Sequence, residues 1–321
     1  MLSVILLAAG IAATVLIAGY FGFSDIIAVV QGANINYIAL AVLMQMATLA
    51  MMALRLKVIS KPKGNIGMVH AFRVTISGMA MNLLTPVAKI GGEPLKVYLL
   101  KKKLGASESS AIVSIDTITE IISSFLTVLL IFFMFIKFLP AALFIYFVVF
   151  FVVAIAFIAF TFKLFTDVSW LNKTVGWFIR KISRYRKVDE MDYAKIFHGV
   201  FMGLIRNRRL MVQALSMSFA MKILEFARMW LVFLALGTVL PFDVVLIIWA
   251  VLLILSMIPW LPGGLGLVEF GGISVFILFG IQNGVAASGV LIDRFISFWL
   301  ILIMGLAIWS MRKEEDRGLE K

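Results

Sequence analysis

The chain has 321 residues, 63% of them hydrophobic and 14% charged, with a net charge of +12 and no cysteine. So apolar a composition excludes a water-soluble domain, and the missing cysteines exclude disulfides and thiolate metal sites. The two histidines, His70 and His198, lie too far apart in sequence for a zinc-ligand pattern, and in such a chain the positive charge reads as membrane topology rather than nucleic-acid binding.

Residues from Leu2 to about 22 are apolar with no basic leader, so they read as a first membrane span rather than a signal peptide. Further unbroken spans are expected at about 37–56, 109–136, 140–162, 210–239 and 285–311. A bilayer-crossing helix needs ~20 apolar residues, and the length of these runs decides for helix over strand. Two other apolar segments, about 67–103 and 243–281, are interrupted at their centres. The first break runs from Thr85 and Pro86 through Lys89, Gly91, Gly92 and Glu93 to Pro94. The second runs from Pro259 through Pro262, Gly263, Gly264 and Gly266 to Glu269. Irregular backbone at membrane depth is tolerated only inside protein or beside a polar cavity, which makes these breaks the best pointer to a binding site.

Charge sets the expected orientation. Arg55, Lys57, Lys61 and Lys63 fall in a loop at 55–66, Lys96 and Lys101–Lys103 at the end of the first broken segment, and a long basic loop occupies 163–209. Arg312, Lys313, Arg317 and Lys321 form the tail, while the opposite connections carry only Lys137. Basic loops stay cytoplasmic, so both termini are expected there. The same asymmetry requires each broken segment to enter and leave on one side, as a hairpin. The arm 94–100 is roughly 10 Å long as helix, too short to span, so the first hairpin is read as re-entrant.

The expected fold is therefore an all-α polytopic membrane protein, a single integral membrane domain over 1–321 with about six full spans and two hairpins. The hairpins alternate with spans in opposite senses, so repeat 1 (about 1–137) and repeat 2 (about 138–311) form an inverted-topology pair, the plan of alternating-access transporters. Within the loop 163–209, Leu171, Val175, Phe178 and Ile182 share one helical face opposite Lys173, Arg180, Arg184 and Lys187. That stretch reads as a helix on the anionic membrane surface or as a topology-setting loop.

Few charges remain at membrane depth, and each needs an interior partner or water. The breaks precede short half-helices whose N-termini would favour an anion, with Lys89, Lys96 and Arg294 completing an anion-binding cavity. The simpler reading is that the glycines permit tight turns and Glu93 and Glu269 cap helix ends. On the span 109–136, Asp116, Thr119, Glu120, Ser123 and Thr127 form a polar stripe. Asp116 and Glu120 are either a proton- or cation-coupling pair or a structural pair satisfied by Arg73 or Arg228. Lys222, Glu225 and Arg228 stand at i, i+3 and i+6, which favours internal neutralisation. No catalytic residues are expected, since nucleophile elbow, Walker loop, dinucleotide fingerprint and HExxH are all absent.

With Pro86, Gly92, Glu93 and Lys96 followed by Pro262, Gly263, Gly264, Gly266, Glu269 and Arg294, the chain resembles the flippase-like transmembrane region of lysylphosphatidylglycerol synthases, a family with archaeal members linked to dolichol-type glycolipids. The resemblance covers nearly the whole chain. It departs at Thr119-Glu120-Ile121, where family members usually carry a glutamate-arginine pair, and Arg73 is the expected substitute. Full-length synthases append a soluble aminoacyl-transferase domain with no counterpart in these residues, so lysyl transfer is not expected. What the resemblance implies is movement of an anionic or modified lipid, phospholipid or polyprenyl-phosphate-linked, between leaflets of a prokaryotic cell membrane. The alternatives are an ion- or proton-coupled transporter of a small anion, a membrane enzyme acting on a lipid-linked substrate, and a scaffold docking partners through the basic loop. The expected partners are lipids with anionic headgroups, with self-association into a homo-oligomer left open. No nucleic acid, metal or cofactor is expected.

Overall fold

A computed structural model describes residues 2–85, 91–135, 141–166, 190–257 and 262–318, and every regular element among them is helical. In chain order these are α1 (Leu2–Tyr20), α2 (Phe23–Gln31), α3 (Ile35–Ser60), α4 (Met68–Leu84), α5 (Glu93–Leu104), α6 (Ala106–Phe135), α7 (Ala141–Thr166), α8 (Glu190–Arg206), α9 (Arg208–Ala235), α10 (Phe242–Met257), α11 (Leu267–Leu278), α12 (Asn283–Arg294) and α13 (Leu300–Gly318). A single wide, π-type turn over Phe295–Trp299 joins α12 to α13. Among the described residues, α3, α6, α9 and the α12–α13 run Asn283–Ser310 are long and apolar enough to cross a membrane. The run α7 adds 26 residues whose only charge is Lys163.

The first span follows the expected run from Leu2 and is succeeded by a short helix that the sequence did not announce. It stops at Tyr20, and α2 leaves at 87° to α1. Gly22, at φ +96°, makes the corner that a side chain would resist. The loop 163–209 is also more ordered than expected, because α8 occupies its second part. Phe197, Val200, Phe201 and Leu204 form a buried stripe along α8, and the Tyr193 hydroxyl lies 2.6 Å from Ser110 Oγ on α6. The amphipathic face at 171–182 lies outside the described residues.

Each broken segment carries two helical arms, and the arms are of matched size. The arms α4 and α5 have 17 and 12 residues, and α10 and α11 have 16 and 12. Twelve residues make a helix of roughly 18 Å, well short of the ~30 Å hydrocarbon core, so neither return arm spans. Local chemistry sets the ends. Pro94 sits in the first turn of α5, where its missing N–H costs nothing, and Lys101–Lys103 occupy the last turn, where cations suit the helix dipole. Asn207 Oδ1 accepts the Leu210 N–H at 3.1 Å and caps α9.

The chain forms two compact units, Met1–Ala53 with Phe72–Leu95 and Phe219–Lys321, and Leu54–Ala71 with Lys96–Ser218. Among the described residues of the first, apolar clusters gather on the π-type turn and the start of α13. Ile296 packs with Ala41 and Val232, Ile301 with Leu49 and Ile76, and Phe298 and Leu302 with Ala80 and Leu265. The second unit is centred on α6, flanked by α8 and by a phenylalanine cluster in which Phe132 meets Phe147 and Phe151 of α7.

Candidate functional site

Within the unit that contains α6, four charged side chains form one network. Arg55 is 1% exposed, and its Nε donates to Asp116 Oδ1 at 2.8 Å. Its Nη1 donates to Glu120 Oε2 and to Ser218 Oγ, each at 2.6 Å. Lys96 Nζ, buried on α5, donates to Asp116 Oδ2 at 3.3 Å. The charges balance, as buried ions require. Glu120 is the most exposed member, its side chain 28% accessible.

This arrangement corrects two expectations. Arg55 is not a loop residue, because α3 continues through Ser60 and carries it into the interior. It is Arg55 and Lys96, rather than Arg73 or Arg228, that satisfy Asp116, while Arg73 is exposed on α4. The polar stripe of α6 is largely self-satisfied. Thr119, Ser123 and Thr127 donate back to the carbonyls of Asp116, Glu120 and Ser123.

The other unit holds a parallel clamp. Arg228 Nε donates to Asp293 Oδ1 at 2.8 Å, Nη2 to Asp293 Oδ2 at 3.2 Å, and Nη1 to Gln45 Oε1. Arg228 thus leaves the expected trio, and Lys222 pairs with Glu225 at 3.3 Å, as their spacing suggested. Gln45 precedes Arg55 in α3 by the same offset as Ser218 precedes Arg228 in α9. Each arginine therefore bonds the residue that matches its twin's neighbour.

Both breaks are internally tied. At the first, Asn82 Oδ1 accepts the Gly92 N–H at 2.6 Å and Asn82 Nδ2 donates to Glu93 Oε1 at 3.4 Å. A Cβ on Gly92 would stand 1.9 Å from the Gly78 carbonyl oxygen, so only glycine lets the turn fold back onto α4. At the second, Glu269 is 1% exposed and both its oxygens are bonded. Oε2 accepts the Gly266 N–H at 2.6 Å, capping α11, and Oε1 accepts Arg294 Nε at 2.7 Å. Arg294 Nη2 donates to the Gly263 carbonyl at 2.8 Å, and its guanidinium lies over the Phe298 ring at 4.9 Å. Gly263 has φ +58°, and Gly264 and Gly266 are also left-handed. Pro262 opens this short turn, whereas Pro86 and Lys89 lie outside the described residues.

The end of α4 meets the second break inside one unit. Leu83, at the end of α4, stands 3.3 Å from where a Cβ on Gly263 would be, and Ala80 packs with Leu265 and Phe298. The meeting is apolar. Among the described residues expected to bind an anion, Arg294 and Lys96 are each held by a carboxylate, and Glu269 takes the anion position at the α11 N-terminus. Sequence reading missed Arg55 and Asn82. Asn82 had a legible signal, a lone amide in the turn of apolar helix just before the first break.

Comparison with known proteins points to a family of membrane proteins. The family model described as lysylphosphatidylglycerol synthase TM region matches residues 3–305. A UPF0104 membrane protein of Methanothermobacter thermautotrophicus is 31% identical, across 94% of this chain and 93% of its own. Similar UPF0104 membrane proteins occur in Pyrococcus horikoshii, at 25% identity over 96% of this chain and 97% of the relative, and in Methanocaldococcus jannaschii, at 26% over 94% and 92%.

Proposed function

The chain belongs to the lysylphosphatidylglycerol synthase TM region family and is an integral membrane protein, and from that premise we propose that it moves an anionic or modified lipid between leaflets by alternating access. The observation that carries this reading is the duplicated clamp. Arg55–Asp116 ties the helix before the first hairpin to the helix after it, and Arg228–Asp293 does the same around the second, each with Nε to Oδ1 at 2.8 Å. Matching arms held between matching clamps support an inverted repeat, and the basic loops support cytoplasmic termini. Paired broken helices of this kind serve transport around a central site.

In this reading the described geometry is the closed state. The end of α4 touches the second break through leucine, alanine and phenylalanine, and Arg294 is neutralised by Glu269. In the proposed cycle the tips separate, the headgroup phosphate passes between half-helix N-termini and basic side chains, and the acyl or prenyl chains stay in the bilayer. No covalent step is required, and transport rather than catalysis is the reading adopted. Reconstitution into liposomes with fluorescent phospholipid and polyprenyl-phosphate probes tests it: headgroups should change leaflet in a protein-dependent way. No protein-dependent exchange across that panel would remove the proposal. A second reading, coupled transport of a small anion, is favoured by the partly exposed Glu120 in an otherwise buried network. It predicts anion uptake into sealed vesicles with no lipid exchange.

A further inference from the structure

Each return arm is fastened to the following span by an ion pair, and the two pairs have opposite polarity. On the first hairpin the arm carries the cation, Lys96, and α6 carries the anion, Asp116. On the second the arm carries the anion, Glu269, and α12 carries the cation, Arg294. The second pair has a particular consequence. If α11 swings away, Glu269 keeps the Gly266 N–H and the positive end of its own helix, so its charge stays compensated. Arg294 would keep the Gly263 carbonyl and the Phe298 ring, neither of which balances a guanidinium. The Arg294 side chain is only 12% accessible, and a cation left unpaired in so enclosed a place is disfavoured, so departure of the arm calls for another anion.

We propose that Glu269 is a resident stand-in for the transported anion, and that a phosphate-bearing headgroup opens the second hairpin by replacing it on Arg294. This rests on the translocation reading and supplies the step that opens the closed state. The guanidinium fork suits such an exchange, because carboxylate and phosphate both accept its parallel N–H donors. The first hairpin does not share the device, since its cation rides on the moving arm and Asp116 stays bonded to Arg55 when Lys96 departs.

Leu265 lies beneath this latch, fully buried, in a chain with no cysteine of its own. In Leu265→Cys, the rate of maleimide labelling at position 265 reports release of the arm. In phosphatidylcholine vesicles the rate should be low, and added phosphatidylglycerol should raise it about tenfold, the change expected for a latch equilibrium shifted by ~1.4 kcal/mol. Inorganic phosphate is the second arm of the test. Acceleration by phosphate alone assigns the exchange to a free anion, and acceleration by the lipid alone to a headgroup; either supports the latch. Adding Glu269→Gln, which keeps an oxygen for the Gly266 N–H but removes the competing charge, should lower the phosphatidylglycerol fraction giving half-maximal labelling. Adding Arg294→Gln should abolish the acceleration. A labelling rate in Leu265→Cys that responds to neither anion overturns the proposal, as does a weaker anion response in Glu269→Gln. Leaflet exchange with unchanged labelling removes the latch and leaves translocation standing, whereas accelerated labelling without leaflet exchange supports the latch and removes translocation.

Discussion

The two clamps do the same mechanical job with different wiring. Around the first hairpin one aspartate serves twice, since Asp116 accepts from Arg55 on the preceding helix and from Lys96 on the return arm. Around the second the work is divided between neighbours: Asp293 holds Arg228, and Arg294 holds Glu269. The first hairpin is therefore electrostatically coupled to its clamp, so a change at Asp116 is felt by both arm and span. The second hairpin can release its arm while Arg228–Asp293 stays shut. Duplicated geometry need not mean duplicated dynamics, and here the second hairpin is the one wired to move alone.

The sharpest way to break this comparison is to remove each aspartate. Asp116→Ala takes a carboxylate from two buried cations at once, Arg55 keeping Glu120, and should cost on the order of the ~3–5 kcal/mol of breaking a buried pair. Asp293→Ala strands Arg228 alone, which keeps its bond to Gln45, so its loss in thermal stability in detergent should be smaller. Equal losses would mean that the shared aspartate does not couple arm to clamp. Next in size is Gly263→Ala, whose Cβ would sit 2.1 Å from Phe298 at a left-handed φ of +58°. Strain plus overpacking should cost about 1–3 kcal/mol, read as a lowered melting temperature. Asn82→Ala should cost about 1 kcal/mol by releasing the Gly92 N–H, detectable as faster hydrogen exchange at the first break with the second unchanged. Smallest is Arg73→Gln on the exposed face of α4, expected within ~0.5 kcal/mol of the parent. A fall in lipid exchange at unchanged stability would assign Arg73 a role toward substrate after all.

Much of the helical plan was legible because bilayer thickness and hydrophobic run length are one-dimensional quantities. The runs predicted at 109–136 and 210–239 appear as α6 and α9, and the interruptions at Gly91–Gly92 and Gly263–Gly266 fall where Pro and Gly remove the option of continuous helix. The i, i+3 pair Lys222–Glu225 was legible for the same reason, being fixed by helix geometry alone. Arg55 was not. A basic residue near a predicted span end looks like a loop charge, and nothing local says that the helix runs on to Ser60. The corner after Tyr20 was equally hidden, because α2 is apolar enough to read as a continuation or a linker.

Hydropathy, punctuation and the placement of lysine and arginine, all carried by the sequence alone, determined that this is a helical membrane protein with two interrupted segments, each carrying a glutamate beside glycines. Which charge faces which was decided by tertiary structure. Partners such as Arg55 with Asp116 and Arg294 with Glu269 are distant along the chain and meet only when helices pack. A buried ion takes whichever counter-charge the packing delivers, and no local spacing rule can select it.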